Sequence, residues 1–438
     1  MFYEPEGYDV STWPETYWRA SAPAARHYPP LETSHRTEIA IIGAGYAGLN
    51  AALELVEGYG ADVTLLDAAQ PGGGASGRNG GFCCLGGARL SAATIRRRFG
   101  PEATANWESF EIRAIERVRD NLERYHIDAK PCEGGELLLA DTPRRWYALK
   151  NEPLPGNARL LDRLDLKNEG LQTAAYYGGR LVSCGFGLHP YAYVTGLADA
   201  AMRAGARIHG DSAVQAIQPD GDGWLLRTAR GQVRAKKVLM ATNGYSDETL
   251  IPWLAGRWLP AISNIMVTRP LSITELSAQG WTRTLMAYDN RLMLHYFRLL
   301  PDNRFLFGTR GGLSFHPASV AEFAQKARAE FEVIFPHFAT AETEYAWNGL
   351  VCLMASLSPY IGPVPSAPGL WIAMGWHGNG VAAASEGGRR AAQAMLGAQE
   401  APPIIARQPP PRFLLPRKLA LRTLMTMATL REGPMRAL

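Results

Sequence analysis

Apolar runs broken by glycine set the rhythm of this chain. Glu38-Ile-Ala-Ile-Ile42 is the short unbroken run expected of a strand buried on both faces, and Leu49-Asn-Ala-Ala-Leu-Glu-Leu-Val56 continues at helical spacing. A second such run, Asp62-Val-Thr-Leu-Leu-Asp67, ends on a carboxylate. Residues 100–128 carry Trp107, Phe110, Ile112, Ile115, Val118 and Leu122 at helical intervals with charges between them, which predicts a long amphipathic helix. Glu136-Leu-Leu-Leu-Ala140 predicts a strand, and Tyr191 to Ala204 a helix stopped by Gly205. A meander follows: Ala213 to Ile217, a Gly221-Asp-Gly223 turn, Trp224 to Thr228, and Lys237 to Ala241. Asn290 to Arg298 and Arg304 to Arg310 read as strands, Gly369 to Met374 as another, and Ala382 to Leu396 as a helix. The two ends therefore alternate strand and helix while the middle gathers strands. This predicts an α/β Rossmann-like unit with an interleaved α+β, mixed-sheet part.

The glycines between these elements carry the first chemistry. Gly43-Ala-Gly45-Tyr46-Ala47-Gly48 lies between the first strand and its helix. Gly43 permits the tight turn, Gly45 a close approach to a pyrophosphate, and Gly48 close helix–strand packing, with the helix N-terminus aimed at the phosphates. Asp67 closes the next strand where a ribose hydroxyl needs an acceptor. A second glycine run, Gly72-Gly-Gly-Ala75-Ser76-Gly77-Arg78-Asn79-Gly80-Gly81, follows at once. Such a run cannot pack a core and is costly to order, so it suits main chain laid against a flat ligand; a plain linker would not carry an embedded Arg-Asn pair. Gly375-Trp376-His377-Gly378-Asn379-Gly380-Val381 repeats the strand–turn–helix pattern near the other end. Its helix N-terminus could stabilise negative charge on a reduced ring system.

These segments, with Leu188-His-Pro190 and Ala241-Thr-Asn-Gly244, resemble the D-amino-acid-oxidase superfamily of FAD-dependent oxidoreductases over about residues 16–430. The nearest branch is that of γ-glutamylputrescine oxidase and L-pipecolate oxidase, which Thr16-Tyr-Trp-Arg-Ala-Ser21 and Phe297 to Gly308 also resemble. The resemblance implies non-covalent FAD held by Gly43, Gly45, Tyr46, Ala47, Gly48, Asp67, Ala75, Ser76, Arg78, Asn79, Gly80, Gly81, Val214, Ala241, Gly375, Trp376, Gly378, Asn379, Gly380 and Val381. Cys352 is offset from the cysteine that anchors flavin in sarcosine oxidases, and no Lys occurs between Lys237 and Lys326 to match their flavin-facing lysine. Residues 30–95, 185–250 and 345–400 are expected to form the FAD-binding domain, 96–184 and 251–344 the substrate domain, and 401–438 a tail packed on the FAD domain. The implied reaction is oxidation of the C–N bond of a small amine or amino acid by hydride transfer, with oxygen or another acceptor reoxidising the cofactor. His377 is expected beside the flavin, and His295, Tyr288, Arg298, Arg310 and Trp347 lie in the segment that faces flavin in the family. Each could equally be structural. Arg269 replaces an acidic residue of the branch in Thr268-Arg-Pro-Leu271, which would disfavour a diamine-derived cation and favour a carboxylate. Two rival functions remain: an NAD(P)H-using flavin monooxygenase and a non-catalytic FAD-binding subunit.

Composition changes little in this picture. A chain of 438 residues with 47% hydrophobic content supports two or three domains, and a net charge of +4 does not call for nucleic acid. Five irregularly spaced cysteines, Cys83-Cys84 among them, make neither a disulfide framework nor a metal motif. The N-terminus lacks the basic and apolar regions of a signal peptide and no stretch is long enough to span a bilayer, so a cytoplasmic monomer or homodimer is expected. The last forty residues open with prolines and continue as a basic helix over Lys418 to Thr429, with Arg407, Arg412, Arg417, Lys418 and Arg422. That helix is expected to pack on the FAD domain or a second subunit; a membrane-surface role is the alternative.

Overall fold

The computed structural model describes residues 2–9, 13–154, 157–399, 401–406 and 409–438. Two eight-stranded sheets and a three-stranded one organise them. In the first sheet, Ser34–Ile42 lies parallel to Val63–Leu66 on one side and to Gln232–Met240 on the other. Arg207–His209 extends it beyond Val63–Leu66. The far edge of Gln232–Met240 is shared. Its first half pairs antiparallel with Gly223–Arg227, and its last three residues pair parallel with Ala367–Met374. The parallel strands are buried on both faces, as their apolar runs require.

Gly48 and Gly388 explain how tightly the helices cover this sheet. The helix Tyr46–Leu53 starts inside the glycine motif, three residues earlier than its apolar spacing suggested, and its last turn widens to a π-turn over Glu54–Gly58. A β-carbon on Gly48 would stand 1.9 Å from the Gly43 carbonyl oxygen. One on Gly388, in the helix Gly380–Met395, would stand 2.0 Å from the carbonyl oxygen of Ala47. The two helices thus meet at backbone distance, which only glycine permits. Against them packs the long helix Pro101–Arg124, burying Trp107, Phe110, Ile115 and Val118. Ile112, expected in that stripe, is instead exposed. The strand expected over Ala213–Ile217 runs from Ala216 to Asp220.

The second sheet runs Thr343–Met354, Trp258–Thr268, Phe305–Arg310, His295–Leu299, Met286–Asp289, Glu136–Ala140, Gly178–Val182, Ala158–Asp162. All neighbours are antiparallel except the Met286–Asp289/Glu136–Ala140 pair. Strand 343–354 is paired here, although residues 345 onward were expected with the nucleotide unit. Trp281, Phe297, Phe305, Phe331, Phe335 and Phe338 form its aromatic core beneath the helix Pro317–Ile334. The tail also departs from expectation. Ile404 and Ile405 join the first-sheet core, but the helix Arg417–Glu432 sets Leu421 against Phe2, Tyr3, Leu259 and Ile262 beside the second sheet. Glu432 then accepts from Arg145 and from the Leu292 amide. Arg407 lies outside the described residues. Among the described residues no helix is long and apolar enough to cross a membrane.

His295 is part of the interior of this second sheet. Its Nδ1 meets Asp289 Oδ2 at 2.6 Å and its Nε2 meets Glu330 Oε2 at 3.1 Å. Burial alone would lower its pKa, but the two carboxylates outweigh that and hold the imidazolium up to about 9. Folding therefore gains from the protonated ring below pH 6.5, the ordinary value, and loses that gain as pH rises toward about 9. We expect His295→Asn to cost about 3–5 kcal/mol by stranding the buried Asp289 carboxylate and the half-buried Glu330 carboxylate. It should also flatten the fall in melting temperature over that pH window. Parallel melting profiles for the two proteins would refute this assignment.

Candidate functional site

A cavity of about 810 Å³ opens where the strands of the first sheet end and the second sheet faces them. Its floor is the C-terminal end of the first sheet: Ile42, Leu66 and Met240, followed by Gly43, Asp67 and Ala241. Ligands of doubly wound sheets sit at this edge, because the strand ends leave a crevice and helix N-termini point into it. Gly45, Tyr46 and Ala47 line the cavity at the start of one helix, and Gly378, Asn379, Gly380 and Val381 at the start of another. Ser76 Oγ accepts from the Tyr46 amide at 3.1 Å, and a β-carbon on Gly45 would come within 2.8 Å of that hydroxyl oxygen.

Asp67 ties the two nucleotide-type loops together. Its Oδ2 accepts from the Ala44 amide at 2.6 Å and its Oδ1 from the Ala69 amide at 2.9 Å. Burial pushes its carboxyl up to about 6 against those two amides. Ala75, Ser76, Arg78, Asn79, Gly80, Val214 and Trp376 line the same space. The glycine-rich loop is rigid at its back. Asn79 donates to the Ala75 and Ser76 carbonyls and accepts from the Gly81 amide, and Arg78 donates to the Gly73 carbonyl. A cavity with two helix N-termini, a carboxylate acceptor in its lining and no side chain at Gly43 or Gly45 fits a dinucleotide.

Several expected site residues hold this cradle from behind and do not line it. Arg298 is buried and donates to the Gly80 and Leu188 carbonyls, and Trp347 donates to the Arg78 carbonyl. Both therefore brace the glycine loop. Gly48, Gly81 and Gly375 are close-approach positions. A β-carbon on Gly81 would lie 2.1 Å from the Leu188 carbonyl oxygen, and one on Gly375 2.1 Å from the Met354 side chain. His295 belongs to the interior cluster described above. His377 adopts a left-handed backbone at φ 51°, and its buried ring accepts from the Met354 amide. Burial, then Arg89 and Arg310, hold that ring down at about 3, so it is neutral and offers no positive charge at physiological pH. Arg269 pairs with Glu275 at the start of a short helix, away from the cavity. The charge reversal at Arg269 therefore gives no ground for a different substrate.

Two of the predicted substrate-side residues do reach the cavity: Tyr288 and Arg310. A third group there, Arg89, was not anticipated; it follows Gly86-Gly-Ala in a continuation of the glycine run, and that continuation was the only signal for it. Among the described residues neither Arg89 nor Arg310 has a carboxylate partner. Burial and then Arg89 push the Arg310 guanidinium down from its ordinary value, a strain that an entering anion would relieve. Cys352 is buried in the strand Thr343–Met354 and does not line the cavity. Acid precipitation should accordingly leave the yellow cofactor in the supernatant, and a yellow pellet would contradict this.

Comparisons with known proteins agree with this geometry. A family model described as FAD dependent oxidoreductase (DAO) matches residues 38–394. The chain is 30% identical to gamma-glutamylputrescine oxidoreductase of Escherichia coli (strain K12), over 88% of this chain and 89% of that protein. It is 27% identical to glycine oxidase of Pseudomonas aeruginosa, over 82% of this chain and 94% of that protein. Among solved structures, L-proline dehydrogenase from P. horikoshii superposes with a TM-score of 0.68 at 18% identity, covering 86% of this chain and 96% of that one. Glycine oxidase from Geobacillus kaustophilus gives 0.66 at 21% identity, covering 84% and 96%.

Proposed function

The chain belongs to the DAO family of FAD-dependent oxidoreductases, and from that premise we propose that it oxidises the C–N bond of a small amino acid or a carboxylate-bearing amine. The observation that carries the carboxylate is the pair Arg89 and Arg310, which line the cavity without acidic partners among the described residues. A planar guanidinium fork binds a carboxylate bidentately, and a site screened from bulk water strengthens that bond. FAD, when bound, accepts the hydride equivalent released from the substrate carbon.

The chain's own residues do the rest. Gly43, Gly45 and the N-terminus of Tyr46–Leu53 would hold the pyrophosphate, and Asp67 the ribose. The amides opening the helix Gly380–Met395 would face the ring system. Arg310 would fix the carboxylate so that the α-carbon points inward, and Tyr288 would lie beside the amine. This reading keeps the amine or amino-acid class of the relatives and draws the carboxylate from Arg310 and Arg89, with no contribution from Arg269.

Product analysis tests it. Incubating the enzyme with an amino acid that it oxidises should yield one carbonyl product and one ammonia or smaller amine for each two electrons transferred. Oxygen incorporated into an otherwise intact substrate would favour the monooxygenase reading instead.

A further inference from the structure

Glu136 is a buried carboxylate just behind the wall of the cavity. It opens the strand Glu136–Ala140, which is otherwise apolar, and its side chain is 2% exposed. Among the described residues it forms no ion pair. Its Oε2 accepts from the Tyr288 hydroxyl at 3.1 Å, and its Oε1 from the Leu85 amide at 3.3 Å. Tyr288 and Leu85 both line the cavity. A carboxylate taken out of water without a direct ion pair costs several kcal/mol, roughly, and is normally replaced or neutralised unless it has work to do.

The surroundings are consistent with a group that changes protonation state. Arg180, on the neighbouring strand, pairs with Glu152 and still draws the Glu136 carboxyl down from a distance. The loop contributes the thiols of Cys84 and Cys83, with Cys184 beyond them, and the long helix contributes Glu111. Arg89 lies on the Tyr288 side. Burial, chiefly, pushes Glu136 up to about 7 despite the hydrogen bonds from Tyr288 and Leu85. Glu111 is likewise raised to about 7, first by burial and then by Glu136, and the Tyr288 phenol is raised well above its ordinary value.

We propose that Glu136, acting through Tyr288, accepts the proton that the substrate's ammonium group loses before its α C–H bond breaks. This rests on the amine reading given above. The ammonium N–H bond breaks and its proton bonds to the Tyr288 oxygen. At the same time the phenolic O–H bond breaks and that proton bonds to Glu136 Oε2. The substrate becomes a neutral amine, the phenol is restored, and Glu136 becomes a carboxylic acid. No electrons are transferred in the step. Tyr288 is the group that touches substrate, and Glu136 is the positioning residue behind it.

The test is the pH dependence of anaerobic flavin reduction in the holoenzyme, its Glu136→Gln variant and its Tyr288→Phe variant. The wild-type rate at low substrate should rise through a limb near pH 7, the value to which Glu136 is raised. In both variants the limb should move up toward the pKa of the free amine, with a loss of about 100-fold at neutral pH that closes in alkali. Infrared difference spectra, recorded on a Glu111→Gln background to silence the other carboxyl raised to about 7, should show a carboxylic-acid carbonyl band that titrates in the same range and is missing once Glu136→Gln is added. A uniform loss at every pH, with the limb unmoved, would mean a structural role and overturn the proposal. So would a carbonyl band left unchanged when Glu136→Gln is added. If no amine reduces the wild-type flavin at any pH while the infrared band titrates as stated, the amine reading fails and this proton transfer fails with it.

Discussion

Gly48→Val should give a protein without bound FAD. The β-carbon would be placed 1.9 Å from the Gly43 carbonyl oxygen, a backbone atom of the very turn that would admit the pyrophosphate. A side chain can rotate away from such a clash, but this carbonyl cannot without moving the strand end or the helix start. Gly43 itself sits at φ 105°, where substitution is strained in any case. The cost should reach or exceed the ~1–3 kcal/mol of an overpacked core, and the distortion falls on the helix N-terminus that would hold the phosphates. Gly45→Val is the informative companion. Its β-carbon would meet only the Ser76 hydroxyl, at 2.8 Å, so the protein should fold. It should nevertheless purify colourless, because the remaining atoms of the valine occupy the phosphate path and disturb the Tyr46–Ser76 bond. Asp67→Ala should lose less FAD than either. Flavin absorbance per mole of protein after gel filtration measures the series. Full FAD content in Gly45→Val would show that the motif does not bind the cofactor as described.

The second large effect should come from Arg310→Leu. Losing a charge-assisted hydrogen bond to a carboxylate costs roughly 1.5–3 kcal/mol, equivalent to about 10- to 150-fold in kcat/KM. The loss should fall on amino-acid substrates, while the corresponding decarboxylated amines, already poor, should change little. Arg89→Leu should act in the same direction but less, since Arg89 lies on an exposed loop position. FAD content should be normal in both variants, because neither guanidinium bonds to the glycine cradle among the described residues. An equal loss for amino acids and simple amines would mean that Arg310 does not recognise the carboxylate.

The nucleotide half of the molecule was legible because its physics is local. Strand, glycine turn and helix follow one another within a few residues, and each glycine has a steric duty visible in its spacing. The substrate half was not, for two reasons. His295 stands on the strand face opposite Tyr296, which lines the cavity. Arg298 and Trp347 share the face of Tyr296 and Gly349 but are covered by the glycine loop. Sequence alone says neither which face is the cavity nor how far the loop reaches along it. His295 faces the interior with Asp289 and Glu330, and Arg298 reaches across to the Gly80 carbonyl. Arg269 misled for a simpler reason, since its partner Glu275 lies only six residues away in a capping turn. Glu136 was visible as a charged residue opening an apolar strand. Its meaning depended on Tyr288, which lies 152 residues away and reaches it through a parallel pairing that no local pattern announces.

The central claim, that this cavity delivers an amine's electrons to bound FAD, is tested most directly by anaerobic mixing. Holoenzyme would be combined, without oxygen, with a panel of L- and D-amino acids, N-alkyl glycines, cyclic imino acids, simple amines and NADPH, while the flavin absorbance is followed. We predict rapid bleaching by at least one carboxylate-bearing amine and none by NADPH. Bleaching by NADPH alone, or by nothing in the panel, would contradict it.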